Sequence, residues 1–382
     1  MPRIRYFLAT TDHPMDEHHP SWDHPLPVSR QAGAIPPGSP DAERVTYGSY
    51  FSSIARFCTA GGWHRLIAAA AAVLERPVRA SDIEEISIFL VKHGAFYHPA
   101  RLRVTVNGQA FSLVVNVALS NHGRRALFNE QRALAHLGQE RPFGWFPRLY
   151  AAVAEEPPMF LGDWFDGFHE FHLTRRAGGN QPAIVVWDGA PTPRMLTDNQ
   201  TADLYRNMAM ILTACYDPIS AAQIFPWHHA AGDFVVRVAN NKAAVRLISV
   251  RDYAPMAKWE NLVRDERTLM EALVVFFIHL SIRMRLDRLD GVYEVAWAPD
   301  PCLAPMIEGF FQGLDLTARL SGLPQTFPDL FRRVLNQYNA AALRATAGQI
   351  VASVFKRQAE EQRVVSIHLD RHIRAVFDHL AV

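Results

Sequence analysis

Residues 225–253, FPWHHAAGDFVVRVANNKAAVRLISVRDY, place several reactive side chains at short spacing. His228 and Asp233 stand five residues apart across a polar loop. An imidazole titrates near neutral pH, so His228 is a candidate general base. The competing reading makes His228 and His229 a structural pair that caps the loop. Asp233 follows Gly232 at a strand entry. Its carboxylate is either a working group or a turn-former that binds local backbone N–H groups. Asp252 is the nearest carboxylate after the second hydrophobic run.

Other clusters carry weaker signals. His13, His18, His19 and His24 lie beside Asp12, Asp16, Glu17 and Asp23 in a Pro-punctuated stretch. They read as a metal site or as a solvated tail, and a metal site needs ordered geometry and supporting hydrogen bonds. Residues 160–174, FLGDWFDGFHEFHLT, interleave aromatics with Asp163, Asp166, His169, Glu170 and His172. They suit a flat ligand pocket or a buried strand and turn. Trp187 and Asp188 add a possible rim. Arg283, Arg285, Asp287, Arg288 and Asp290 close a long apolar helix, and interleaved opposite charges read as a solvated face or an ion-pair network. No Walker loop, dinucleotide fingerprint, Ser–His–Asp motif, zinc spacing or solenoid repeat is visible.

The elements that must position these groups follow from periodicity and turn chemistry. Residues 1–47 read as an extended arm. Residues 48–76 read as two helices broken at Gly61–Gly62. Residues 86–91, 100–106 and 111–119 read as strands, with Asn107–Gly108 as a hairpin turn between the last two. A helix is expected over 123–137, then short strands near 146–151 and 158–165. The hairpin of 234–238 and 244–250, turning at Asn240–Asn241, sits between helices expected at 197–215 and 260–287. Further helices are expected at 303–320, 327–337, 340–361 and 367–380. The fold class is therefore α+β, with a small antiparallel-sheet lobe over 48–165 and a larger, mainly helical lobe over 166–382.

Composition narrows the function classes. The 382 residues are 49% hydrophobic and 20% charged, which is ordinary globular composition. A formal net charge of +1 gives no electrostatic footprint for nucleic acid. The three cysteines are far apart in sequence, which fits a reducing cytoplasm and no disulfide framework. No segment reads as a signal peptide or a membrane span. A small molecule or a protein remains as the partner class.

The element order and the 225–253 layout resemble the protein-kinase-like and aminoglycoside-phosphotransferase-like superfamily, over roughly residues 85–290. That resemblance implies a kinase-like two-lobed fold, with ATP and Mg as the cofactors. KHGAFYHPA, residues 92–100, takes the place of the phosphate-covering loop, with Gly94 as its one glycine. Asn116 stands where the third strand carries the phosphate-contacting Lys, and Glu130 matches its helix partner. Lys92, at the end of the first strand, could reach the same site. Asp233 matches the metal-binding Asn, His228 the catalytic Asp and Ser249 the metal-binding Asp. Any metal would then centre on Asp233, with Asp252 or His228 as a second ligand.

These departures set the functional expectation. With Asn116 for Lys and Ser249 for Asp, two charged stabilisers of phosphoryl transfer are missing. The chain is thus expected to be a degenerate kinase-like protein that binds a ligand or partner as a regulator or scaffold. One alternative is an active ATP-dependent transferase with rearranged residues. The other is a binding protein for a small molecule unrelated to nucleotides, using the 160–174 aromatics.

Overall fold

A computed structural model of the protein describes residues 2–8, 13–27, 45–94, 96–155, 157–175, 182–228, 232–256, 265–355 and 358–380. Residues 1, 9–12 and 28–44 of the expected arm, His229, and 260–264 of an expected helix lie outside the described residues. The chain is α+β and divides into two compact units. The first is Met1–Gly138 with Pro147–Asp166; the second is Gln139–Phe146 with Gly167–Val382.

The first unit is a six-stranded sheet flanked by helices. Its strands are β1 (Arg3–Leu8), β2 (Ile83–Leu90), β3 (His98–Val106), β4 (Gln109–Val117), β5 (Leu149–Val153) and β6 (Met159–Asp163), in spatial order β1-β2-β3-β4-β6-β5. Its helices are α1 (Tyr47–Thr59), α2 (His64–Leu74) and α3 (Asn121–Glu140). Asn107 and Gly108 both take positive φ, 49° and 76°, and close a two-residue hairpin with Val106 opposite Gln109. That is the turn whose twist matches paired strands, and Asn-Gly supplies it at low steric cost. Gly61 and Gly62, also at positive φ, separate α1 from α2. Thr46 and Ser49 cap α1 reciprocally.

One expectation for this sheet needs correcting. It is mixed rather than antiparallel, because Arg3–Leu8 pairs in parallel with Glu85–Leu90. These residues, read from sequence as part of an extended arm, form the edge strand. Residues 13–27 are anchored as well. Met15 and Leu26 are buried in the core, and Trp22 packs against Tyr6 and Phe51. The α1–α2 layer covers one face of the sheet through Tyr50, Phe51, Ile54 and Leu66, each fully buried.

The second unit carries short strands among helices. A three-stranded sheet contains β7 (Phe171–Arg175), β8 (Pro182–Val186) and β9 (Arg194–Met195). Helix α4 (Asp198–Ala214) follows, capped by Thr197 and Gln200. Then come β10 (Ala222–Ile224), the hairpin β11 (Phe234–Ala239) and β12 (Lys242–Leu247), and β13 (Tyr253–Pro255). Helix α5 (Glu266–Arg283) leads to β14 (Leu286–Arg288) and β15 (Val295–Trp297). The chain ends in α6 (Leu303–Leu320), α7 (Phe327–Leu335), α8 (Ala340–Val354) and α9 (Ala359–Leu380).

Alternation fixes the orientation of the central hairpin. Phe234, Val236, Val245 and Leu247 are buried on one face, as a period-two strand requires. Helix α5 is apolar around most of its surface and is buried along its second half, from Leu273 to Arg283. Among the described residues no single helix is long and apolar enough to cross a membrane. The pair α1 and α2 reaches that length only across a 73° bend.

Candidate functional site

Asp233 is the centre of the site. Its side chain is 1% exposed. The turn from Gly232, at φ +69°, delivers it to the entry of β11. The Arg251 guanidinium grips both carboxylate oxygens. The His228 backbone N–H donates to Oδ2 at 2.7 Å. On the main chain, the Ile248 N–H donates to the Asp233 carbonyl at 2.7 Å, holding β12's exit against the loop. A carboxylate with a forked guanidinium and a backbone donor has its negative charge locally neutralised.

A second ion pair lies beside the first. The Arg283 side chain, 3% exposed, donates to Glu361 Oε2 at 3.2 Å and to the Trp227 carbonyl at 3.0 Å. His228 Nε2 lies 3.4 Å from Glu361 Oε1. Burial alone would raise the Glu361 carboxyl, but the nearby His228 ring, together with the Arg283 charge, holds it below the usual range. Burial pushes the Arg283 guanidinium down, against the pull of Glu361 and Asp233. One buried arginine, Arg283, and one partly exposed arginine, Arg251, thus balance two buried carboxylates within one network. His228 contributes its backbone to one acid and its ring to the other.

The remaining sequence candidates divide between the units. Ser249 is half-buried, two residues beyond the end of β12. Asp252 is half-buried too; its Oδ1 accepts the Tyr253 N–H at 2.8 Å and its carbonyl accepts the Phe225 N–H at 3.2 Å. His228, Asp233 and Asp252 therefore belong to one loop cluster, and the arginine just before Asp252 is the one that reaches Asp233. In the first unit, Asn116 lies in β4, in register with Pro99 and Phe160, and is 6% exposed. Lys92 is exposed just past β2. Glu130 is fully buried on α3, where the Tyr97 hydroxyl donates to it.

The loop that carries Tyr97 is tightly built onto α3. A side chain at Gly94 would meet the Tyr97 carbonyl at 2.3 Å, and one at Gly123 would meet the Phe96 carbonyl at 1.9 Å. The Phe96 and His122 rings lie 5.0 Å apart. Glycine at 94 and 123 is thus explained by close backbone packing. Gly94 needs no phosphate contact to account for it.

Several expected alternatives take other forms. Arg283, Arg285 and Asp287 are buried at 3%, 2% and 0% exposure, so the end of α5 is a buried ion-pair network and not a solvated face. Arg285 pairs with Asp300 at 2.7 Å and stacks over Trp297. Among the described residues no group of three or more His, Cys, Asp or Glu is placed to hold a metal. In the N-terminal stretch, Asp16 and His19 side chains accept local backbone N–H groups. Ser281 and His372 meet at 2.9 Å, but the serine donates to the Ile278 carbonyl, so the imidazole must be the donor between them. Burial and Arg285 push the His372 pKa down to about 3, so this pair holds a neutral structural histidine. An apolar cavity of about 350 Å³ lies in the second unit, walled by Pro218, Ile219, Met270, Leu273, Phe327 and Leu330, apart from the sequence candidates.

The aromatic stretch holds a cluster that spacing did not reveal. His172 is 2% exposed, with Nδ1 3.5 Å from Asp287 and Nε2 4.0 Å from Glu170. Asp287 also accepts the Leu173 and Arg288 N–H groups, each at 2.7 Å. Burial opposes the imidazolium, but the two carboxylates outweigh it and raise His172 to about 9. The Trp187 ring packs against the imidazole at a tilt of 53°, with the centroids 4.6 Å apart.

No family model matches the chain, and no curated protein matches it either.

Proposed function

We propose that this is a cytoplasmic kinase-like protein with a degenerate catalytic centre, acting through ligand or partner binding. The supporting observation is the Arg251 fork on Asp233. By the motif resemblance Asp233 would be a metal ligand. The guanidinium supplies fixed positive charge at that carboxylate in place of a divalent ion. The resemblance puts Asn116 at the phosphate-binding Lys and Ser249 at the second metal acid, so three charged parts of a phosphoryl-transfer site are replaced together. Loss of a single preorganised donor can cost ~10²–10³ in rate. The Tyr97 bond to Glu130 fits the same reading, because it engages the acid that would otherwise orient the missing Lys.

The rearranged-transferase reading has one observation in its favour. His228 and Glu361 form an imidazole–carboxylate pair at 3.4 Å, the arrangement that orients a general base. A thermal-shift titration of ATP, ADP and GTP, each with and without Mg²⁺ or Mn²⁺, separates the two. Ligand linkage raises apparent stability only where binding occurs. The expected result is that the metals add nothing to any nucleotide response. A nucleotide shift that requires Mg²⁺ and disappears in Asp233→Ala would contradict the degenerate centre and favour the transferase reading.

A further inference from the structure

The β11–β12 hairpin has two unlike faces. Its buried face is apolar. On the other face the register places Val235 opposite Arg246, Arg237 opposite Ala244 and Ala239 opposite Lys242. Arg237, Lys242 and Arg246 thus share one face, and no carboxylate lies among its paired residues. Arg237 and Arg246 are diagonal neighbours across the ladder, close enough for long side chains to meet. Both reach the same ring: their guanidinium carbons lie 4.7 Å and 5.3 Å from the centre of Phe168.

Concentrating like charges in this way costs energy in the free protein. Arg237 and Arg246 stand opposite Ala244 and Val235, so their repulsion acts along the diagonal. Arg246 titrates below its ordinary range, first because it is half-buried and then because Arg237 stands beside it. Phe168 offsets part of this through its ring face. The ring also holds the two planar groups in place, which lowers the entropy cost of using them together. Arg237 and Lys242 are exposed, so a ligand can reach them from solvent. Guanidinium forks match the oxygens of phosphate in pairs, and Lys adds a point charge.

We propose that the Arg237–Arg246–Lys242 face is a metal-independent binding site for a phosphoanion, of the size of a diphosphate. The site lies wholly on the second unit and uses no residue of the Asp233 network. It gives a degenerate kinase-like chain a way to hold phosphate charge without a divalent ion.

The test is calorimetric titration of the full chain with inorganic pyrophosphate in EDTA, with sulfate at matched ionic strength as the control and ADP as a second arm. Pyrophosphate should bind and sulfate should bind far more weakly. Arg237→Gln and Arg246→Gln should each weaken pyrophosphate binding about tenfold or more, as expected for a lost charge-assisted contact. The double variant should abolish binding while its melting curve stays cooperative. Arg237→Lys should recover part of the loss, since it keeps charge without the fork. ADP binding more tightly than pyrophosphate would support the site and identify a nucleotide as the source of the phosphate. Equal binding would support the site with free diphosphate as its ligand. Pyrophosphate binding that survives in the double variant, or a sulfate response as large as that to pyrophosphate, would overturn the proposal. These outcomes do not depend on whether the protein turns over ATP.

Discussion

Replacing Arg251 by alanine should lower the unfolding free energy by about 3–5 kcal/mol, the cost of stripping one partner from a buried ion pair. Asp233 is 1% exposed and would keep the His228 backbone N–H as a donor to its carboxylate. Its charge would be stranded in low dielectric, with Arg283 too committed to Glu361 to replace the fork. The check is a urea unfolding series on Arg251→Ala, Asp233→Ala and the double variant. The double variant should be destabilised by less than the sum of the singles, with a coupling above about 1 kcal/mol. Additive losses would mean that the fork does not carry the stability of this loop.

The second large effect is on the pH dependence of stability. His172 titrates near 6.5 in an unfolded chain and near 9 in the fold, because Asp287 and Glu170 favour its imidazolium. A raised folded pKa stabilises fully below the unfolded value and is lost as pH rises through the folded one. Stability should therefore fall between about pH 6.5 and pH 9, by on the order of 2–3 kcal/mol from this residue. Urea midpoints at pH 6, 7.5 and 9.5 measure it. In His172→Gln the slope over that window should flatten, and the variant should be least impaired at the alkaline end. An unchanged slope in the variant would assign the pH dependence to other groups.

Legibility from sequence differed by kind of feature. Asn107–Gly108 declared the β3–β4 hairpin because both residues must take positive φ, which few dipeptides do cheaply. Gly61–Gly62 likewise marked the break between α1 and α2. The α5–α9 helices followed from apolar periodicity, although α9 begins at Ala359, several residues before its expected start at 367. Strand β1 was not legible. Its residues RIRYFL mix charge with apolar groups, and its partner, β2, is remote in sequence. A parallel pairing leaves no local turn signal to read.

The site shows the same division. His228, Asp233 and Asp252 could be named because they sit in one short loop segment of sequence. Their controlling partners could not. Arg251 adjoins Asp252 but carries no motif signal of its own, and Glu361 reaches His228 and Arg283 from the last helix. The interleaved charges after α5 were visible, but their burial was not, because a solvated charged face and a buried network have the same composition. His172 and Asp287, 115 residues apart, meet only through the packing of β7 against β14.

The most direct measurement of whether Arg251 has replaced the metal is the rate of ADP release from MgATP by the purified chain, beside Asp233→Ala checked for retained fold. With the carboxylate held by the guanidinium, wild type and variant should both show no Mg²⁺-dependent release above background. Robust Mg²⁺-dependent turnover by the wild type, abolished in a folded Asp233→Ala, would contradict the degenerate centre and make Asp233 a working ligand.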